Sequence, residues 1–378
     1  MVTNDISISG YADPRFDQLV DLFRDNLASG RDLGASFAAT IEGETVVDIW
    51  GGWMDEARLK RWEADTIVNV YSTTKTMAAL VALLLADRNE LDLDAPVCRY
   101  WPEFSANAKE GVTVKHVLSH SSGLSGWRGK MAPADLYDWE KATSLLAAQA
   151  PFWTPGTAAG YHALTQGFLL GEIVRRISGQ SLGEFFRREI AEPLTSDFHI
   201  GLSQKDDDRV ADLVPPPTLL PSDMGVLSDL TINMMSNPSS DPLETRTRAW
   251  RAAEIPAANG HGNARAVAEI HMLLANGGTA KGKRLLSEAS CRKALEPQIE
   301  GVDLVLGIPA RYGLGFGLPP MISLPNPDSI FWGGYGGSLA VIDFARRTTC
   351  SFAMNRMGMT TVGDARGLSM AEAFWAEV

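Results

Sequence analysis

The run from Met77 to Ala86 (MAALVALLLA) is the longest purely apolar stretch of the chain, and it constrains the fold more than any other. It is about half as long as a membrane span needs to be, so its place is inside a globular core. A helix that is apolar on all sides is a buried helix, and this one is expected to pass through the centre of the molecule. Tyr71-Ser72-Thr73-Thr74-Lys75 stands directly ahead of it. A serine and a lysine are therefore carried to the N-terminal end of a buried helix.

A length of 378 residues suggests two domains, or one large domain with an insertion. A chain this long can bury its core without disulfides or metals, and neither a cofactor nor a metal is expected. The formal charge, 34 − 46 = −12, argues against nucleic acid and anionic membrane surfaces as partners. Cys98, Cys291 and Cys350 are far apart and form no C-x-x-C pair, as in a reducing compartment. The opening MVTNDISISGYADPRFD lacks a basic segment followed by an apolar core. The expectation is a soluble cytoplasmic protein.

Residues 15–29 carry apolar side chains at helical spacing, and strand patterns follow at Gly34–Ile41 and Thr45–Trp50, joined as a hairpin by Glu42-Gly43-Glu44. Helical patterns fill the middle, at 72–89, 136–149, 163–178, 181–191 and 264–276. Strand patterns return at Tyr312–Leu318, Ser338–Phe344 and Thr348–Met354, and a helix closes the chain at 368–377. Hairpin-length links favour antiparallel pairing. The class is α+β, with a discontinuous sheet domain from 1–75 and 285–378 and a mainly helical domain from 76–284. Residues 202–260 are rich in Pro, Asp and Ser, with Met224, Met234 and Met235 among them. This segment reads either as a lid or binding loop or as a self-packed surface excursion.

Ser72 and Lys75 stand at i, i+3 and share a helix face. The positive end of the helix dipole favours negative charge near Ser72. Burial lowers an amine's pKa, which makes Lys75 a usable base for the hydroxyl. The competing reading is a Ser72 N-cap with Lys75 reaching for solvent. Ser290-Cys291-Arg292-Lys293 has the same spacing but no buried run after it. On local grounds both readings of Ser72 stand.

Further segments occur in order: Thr113-Val114-Lys115-His116-Val117-Leu118-Ser119-His120-Ser121-Ser122-Gly123-Leu124, Pro155-Gly156 ahead of Tyr161-His162-Ala163, and Trp332-Gly333-Gly334-Tyr335-Gly336-Gly337-Ser338. Together with Ser72-Thr73-Thr74-Lys75 they resemble the serine β-lactamase and penicillin-binding-protein-like superfamily, specifically the class C-like family VIII carboxylesterases. The resemblance spans roughly residues 15 to 355. It implies a β-lactamase/transpeptidase-like fold, a mainly antiparallel sheet with terminal helices plus an inserted all-helical domain, with the site between the two. It further implies Ser72 as acylated nucleophile, Lys75 as general base and Tyr161 as partner in proton transfer. The backbone amides of Ser72 and Tyr335 would form the oxyanion hole. Without the motif, Tyr161 reads as an amphipathic anchor at a helix start.

The chain departs from the pattern where β-lactamases and peptidoglycan peptidases carry K-T-G. That position matches Trp332-Gly333-Gly334, and no lysine follows Lys293 and no histidine follows His271. An indole cannot pair with a substrate carboxylate but can line an apolar acyl or alcohol pocket. Ala163 replaces the asparagine of Y-x-N. Both changes favour neutral esters, with short to medium acyl chains. The alternatives are a β-lactamase or D-amino-acid peptidase, an amide hydrolase or an acyltransferase on the same site, and, in another class, a non-catalytic scaffold. A small-molecule ester is the expected partner, and a homo-oligomer is compatible with the sequence.

Other patterns compete. Gly179-Gln180-Ser181-Leu182-Gly183 matches G-x-S-x-G, which should link a strand to a helix. A helical pattern precedes it here, so Ser181 reads as an N-cap. His116 and His120 have a zinc-like i, i+4 spacing without the glutamate of H-E-x-x-H, and read as structural. Asp206-Asp207-Asp208 lacks the alternation of a calcium loop and reads as a solvated turn. Trp127, Trp153 and Trp332 read as core residues or pocket walls.

Overall fold

Both ends of the chain build one sheet. The computed structural model describes residues 7–217 and 227–378. Strands β1 (Ile8–Ala12), β2 (Gly34–Ile41), β3 (Glu44–Gly52), β4 (Ser329–Gly333), β5 (Leu339–Asp343) and β6 (Thr348–Met354) lie in the order β1-β3-β2-β6-β5-β4. Every neighbouring pair is antiparallel. The seam between the N- and C-terminal parts is β2 against β6, with Phe37 opposite Phe352 and Thr40 opposite Thr349. The two threonine hydroxyls meet at 2.7 Å.

Side chains along these strands alternate between two cores, as the pleat requires. Ala35, Phe37, Ala39, Phe352 and Met354 face a layer made by α1 (Asp17–Ala28) and α5 (Ala365–Trp375), where Phe23 and Phe374 are buried. Ala38, Ala340, Ile342 and Ala353 face the larger core instead. That core holds α2 (Thr74–Asp87), α3 (Thr165–Ser178) and α4 (Ala264–Ala275). α4 lies directly on the sheet, where Ala264 N–H donates to Ser36 Oγ (3.2 Å) and Thr349 Oγ1 to the Ala268 carbonyl (2.9 Å).

α2 is buried from Thr74 through Leu85, which is why its sequence shows no polar face. Among the described residues no helix is long and apolar enough to cross a membrane.

The expected strand at Tyr312–Leu318 is not one. The strand there is Pro309–Tyr312, and the chain then turns, with Gly313 N–H donating to Phe316 O (2.9 Å) and Gly315 at φ +87°. Its apparent alternation came from glycines at 313, 315 and 317, which favour turns over ladders. β4 escaped the pattern because its apolar run, Ile330-Phe331-Trp332, is only three residues long, although it is as fully buried as β5 and β6. The 202–260 segment is less irregular than its composition suggests. It contains helices Asp229–Ser236 and Arg248–Ala252, and the first is capped by Ser228, which accepts from Thr231 N–H. Met224 lies outside the described residues.

Candidate active site

α2 begins later than expected, at Thr74, and Ser72 lies in the tight turn that feeds it. Thr74 and Lys75 N–H groups reach back three residues, to Tyr71 O and Ser72 O. Tyr71 is left-handed, at φ +42°, an uncommon conformation for a bulky residue that stores strain where the chain turns sharply. Thr74 Oγ1 accepts from Gly260 N–H at 2.8 Å, and a Cβ at Gly260 would stand 2.5 Å from that oxygen. The Ser72 turn is thereby fixed against the 255–260 loop. Ser72 Oγ caps no helix; its neighbours are Lys75 and Tyr161.

Lys75 Nζ lies 3.0 Å from Ser72 Oγ, 2.7 Å from the Ala163 carbonyl and 2.9 Å from the Ala257 carbonyl. It does not reach for solvent. No carboxylate is among these partners, and burial holds the ammonium's pKa well below the ordinary lysine value. Tyr161 donates its phenolic hydroxyl to Ser72 Oγ at 2.6 Å. Burial pushes the Tyr161 pKa well up, against smaller downward pulls from Ser72 and from the Trp332 indole. The phenol is neutral at physiological pH, and Ser72, Lys75 and Tyr161 converge although 88 and 86 residues separate Ala163 and Tyr161 from Lys75 in sequence.

On the sheet side, Trp332-Gly333 ends β4 and Gly334-Tyr335 turns towards Ser72. A Cβ at Gly334 would come within 2.2 Å of Val70 O and 2.3 Å of Ser338 Oγ, so only glycine permits this approach. Ser338 Oγ donates to Val70 O (2.7 Å) and lies 2.9 Å from Thr73 Oγ1. The Tyr335 ring meets the Tyr71 ring edge-on at 5.4 Å. The backbone amides of Ser72 and Tyr335 donate to no backbone carbonyl among the described residues.

Of the two readings of Trp332, pocket wall and core residue, its burial favours the second: the ring is wholly enclosed, packed on His120 at 5.3 Å, Tyr312 at 5.7 Å and Tyr161 at 5.9 Å. Among the described residues its buried indole nitrogen has no hydrogen-bond partner in good geometry. Leu230 and Met234, from helix Asp229–Ser236, pack against the cluster containing Tyr161 and Trp332. That contact favours the binding-loop reading of this part of 202–260 over a self-packed excursion.

Behind the site, Asp303 and the Ala257 carbonyl carried no signal in the sequence, whereas His120 and Ala163 stand in the motif segments but in other roles. Asp303 is fully buried; its Oδ1 accepts from the backbone N–H of Tyr161 (3.1 Å), Val305 (2.8 Å) and Leu306 (2.8 Å), and its Oδ2 from the Tyr312 hydroxyl (2.9 Å). His120, left-handed at φ +58°, packs its ring 5.1 Å from Tyr161 and accepts from His162 N–H at 3.1 Å. Burial keeps His120 neutral. The Ala163 and Ala257 carbonyls act through backbone alone, which no residue-type pattern can show.

The competing patterns resolve into structure. Ser181 caps helix Leu182–Phe186 and donates to Glu254 at 2.5 Å. Ser290 donates to Asp87 at 2.7 Å. His116 accepts from Thr113 N–H within its own helix cap. Trp127 is a core residue that donates to the Ala142 carbonyl at 2.9 Å, and Trp153 is half-buried against His162. The 206–208 acidic run is paired rather than merely solvated, Asp206 with Arg209 and Asp207 with Arg248.

This fold and this convergence define a class: the chain belongs to the beta-lactamase family, whose profile matches residues 19–373. Among individual relatives, it is 35% identical over 367 residues to the esterase/beta-lactamase LipL of Mycobacterium tuberculosis, covering 93% of this chain and 83% of that one. It is 31% identical over 205 residues to the esterase EstB of Burkholderia gladioli, 50% of either chain. Among solved structures, a family VIII carboxylesterase matches with a TM-score of 0.93 at 41% identity, covering 99% of this chain and 100% of that one. A penicillin-binding protein homologue from Caulobacter crescentus matches at 0.93 and 38% identity, covering 98% and 100%. The resemblance read from the motifs and the fold it implied are those found.

Proposed function

We propose that the protein is a serine hydrolase that cleaves carboxylic esters through an acyl-Ser72 intermediate. The observation that carries this reading is the convergence on Ser72 Oγ of Lys75 Nζ at 3.0 Å and the Tyr161 hydroxyl at 2.6 Å. A neutral amine donates two N–H bonds to the Ala163 and Ala257 carbonyls and turns its lone pair to the Ser72 hydroxyl. Lys75, its pKa lowered by burial, is then a base of the right strength in the right place. As it takes the proton, Ser72 Oγ attacks the ester carbonyl, and the tetrahedral oxyanion is held by the amides of Ser72 and Tyr335. Tyr161 passes a proton to the leaving alkoxide and is itself reprotonated from Lys75. Water repeats the sequence against the acyl-enzyme.

Trp332-Gly333-Gly334 in place of a cationic K-T-G leaves this position without a partner for a substrate carboxylate. That supports neutral esters over penicillins and peptides bearing a free carboxylate. EstB is named an esterase and LipL an esterase/beta-lactamase, so both names agree with ester hydrolysis, and the preference over β-lactams rests on the missing cation. The test compares wild type with Ser72→Ala on a short-chain p-nitrophenyl ester and a chromogenic cephalosporin. Ester turnover that vanishes in the variant, with little cephalosporin cleavage in either, is the expected result. Dominant cephalosporin turnover would reverse the substrate assignment, and full activity in Ser72→Ala would remove the nucleophile.

A further inference from the structure

The turn that carries Tyr335 rests on a buried ion cluster. Arg366, near the start of α5, donates through Nη2 to the Gly336 carbonyl at 2.8 Å. Through Nη1 it donates to Asp32 Oδ1 at 2.6 Å and to the Arg356 carbonyl at 2.8 Å, and through Nε to Asp364 Oδ2 at 3.0 Å. The side chain of Asp32 is wholly buried, and those of Arg366 and Asp364 are about nine-tenths buried, at 11% and 10% exposure. Asp364 is also the N-cap of α5 and accepts from Arg366 N–H. The guanidinium thus has a carboxylate on two sides and a carbonyl of the glycine turn on a third.

Within the turn, Gly334 N–H donates to Ser338 O (2.8 Å) and Gly337 N–H to Gly334 O (3.1 Å), and Gly336 N–H reaches out to Thr360 O (3.1 Å); Arg366 is the charged side chain that reaches it. Gly336 and Gly337 are both left-handed, at φ +93° and +131°. A Cβ at Gly337 would stand 2.6 Å from Asp364 Oδ2 and 2.8 Å from Arg366 Nη2, so the backbone lies directly against the cluster. Glycines impose little conformational preference of their own. Gly336 O accepts from Gly358 N–H (2.7 Å) as well as from Arg366, which anchors the turn one residue after Tyr335.

We propose that Arg366, clamped by Asp32 and Asp364, is a positioning residue that fixes the Gly334–Ser338 turn and thereby aims the Tyr335 amide at the reacting carbonyl oxygen. The inference rests on the proposed role of that amide in the oxyanion hole. An anion-stabilising donor works only when it is already in place, because any reorganisation at the moment of reaction subtracts from its effect. A planar guanidinium has five donors in a fixed fork and here serves two carboxylates and two carbonyls, more acceptors than the three donors of a lysine can match.

The test compares an alkyl ester with its thionoester, whose sulfur an oxyanion hole serves poorly, in wild type, Arg366→Lys and Asp364→Asn. Asparagine retains the helix cap while removing the charge. Wild type is expected to prefer the oxygen ester strongly. In the variants kcat for the oxygen ester should fall about ten- to a hundred-fold at nearly constant KM, part of the effect of losing a donor outright. The oxygen-to-sulfur ratio should fall with it. A ratio unchanged from wild type in a folded variant, whatever its absolute activity, would show a merely structural role and overturn the proposal. A wild-type ratio near unity would instead overturn the oxyanion assignment at Tyr335, a distinct outcome. Should Arg366→Lys fail to fold, Asp364→Asn carries the comparison alone.

Discussion

Replacing Tyr161 by phenylalanine removes one oxygen and leaves the ring in place. The ring is enclosed by His120, Trp332 and the Lys75 side chain, whose nitrogen lies 4.9 Å from the ring centroid. Among the described residues the hydroxyl has one hydrogen-bond partner in good geometry, Ser72 Oγ at 2.6 Å. The net loss of such a bond costs about 0.5–1.5 kcal/mol of stability. In a chain of this size that lowers the melting temperature by only a few degrees, on the order of 2–4 °C per kcal/mol or less. The kinetic loss should be much larger. Proton transfer by a positioned side chain contributes roughly 10²- to 10⁴-fold, or about 3–5 kcal/mol of barrier. The assay is kcat/KM for an alkyl ester and for the p-nitrophenyl ester of the same acid. The alkoxide must be protonated to leave, whereas p-nitrophenolate leaves unaided. Tyr161→Phe should therefore cost the alkyl ester the full range and the p-nitrophenyl ester distinctly less. A loss on the alkyl ester below about ten-fold, short of the smallest contribution expected of a general acid, would refute the role. Equal losses on the two esters would move Tyr161 from leaving-group protonation to the attack step.

Three more outcomes follow from the same geometry. Lys75 must be neutral to act, so kcat/KM should rise with pH and level off below the ordinary lysine value of 10.5, as its lowered pKa requires; Lys75→Arg, which cannot deprotonate, should be inactive across the profile. Burial raises the Asp32 pKa from 3.8 to about 6 despite Arg366, so the stability this group contributes is fully present below about pH 4 and lost as pH rises through about 6. The two-unit shift corresponds to about 3 kcal/mol. Thermal melts between pH 4 and 8 should show a fall in wild type that Asp32→Asn lacks, and parallel curves would contradict the assignment. Gly334→Ala forces a Cβ to within 2.2 Å of Val70 O and should push the Tyr335 turn off Ser72. Its kcat for ester should fall by about a hundred-fold, the effect of losing one oxyanion donor, measured in a protein whose circular dichroism is unchanged.

Sequence patterns carried Ser72, Lys75 and Tyr161, the proposed nucleophile, base and proton donor, because all three are side chains of fixed type set in recognisable motifs. The buried helix that delivers Ser72 was equally legible, since a helix without a polar face has one place to go. The supports were not. Asp303 holds Tyr161 across 142 residues of chain and Arg366 reaches Asp32 across 334, and no local spacing records either pairing. Lys75 is held by the carbonyls of two alanines, whose side chains say nothing of it. β4 and the turn after Tyr312 were misjudged for opposite reasons. The first offers an apolar run of only three residues, and the second alternates only because its glycines recur at every other position.

The central claim is a covalent acyl group on Ser72. Acid-quenching the protein during turnover of a slowly deacylated ester, then measuring intact mass and mapping the labelled peptide, tests it directly. The expected result is a single mass increment equal to the acyl group, located on the peptide containing Ser72 and absent from Ser72→Ala. An increment mapping to Ser181, or steady ester turnover in Ser72→Ala, would contradict it.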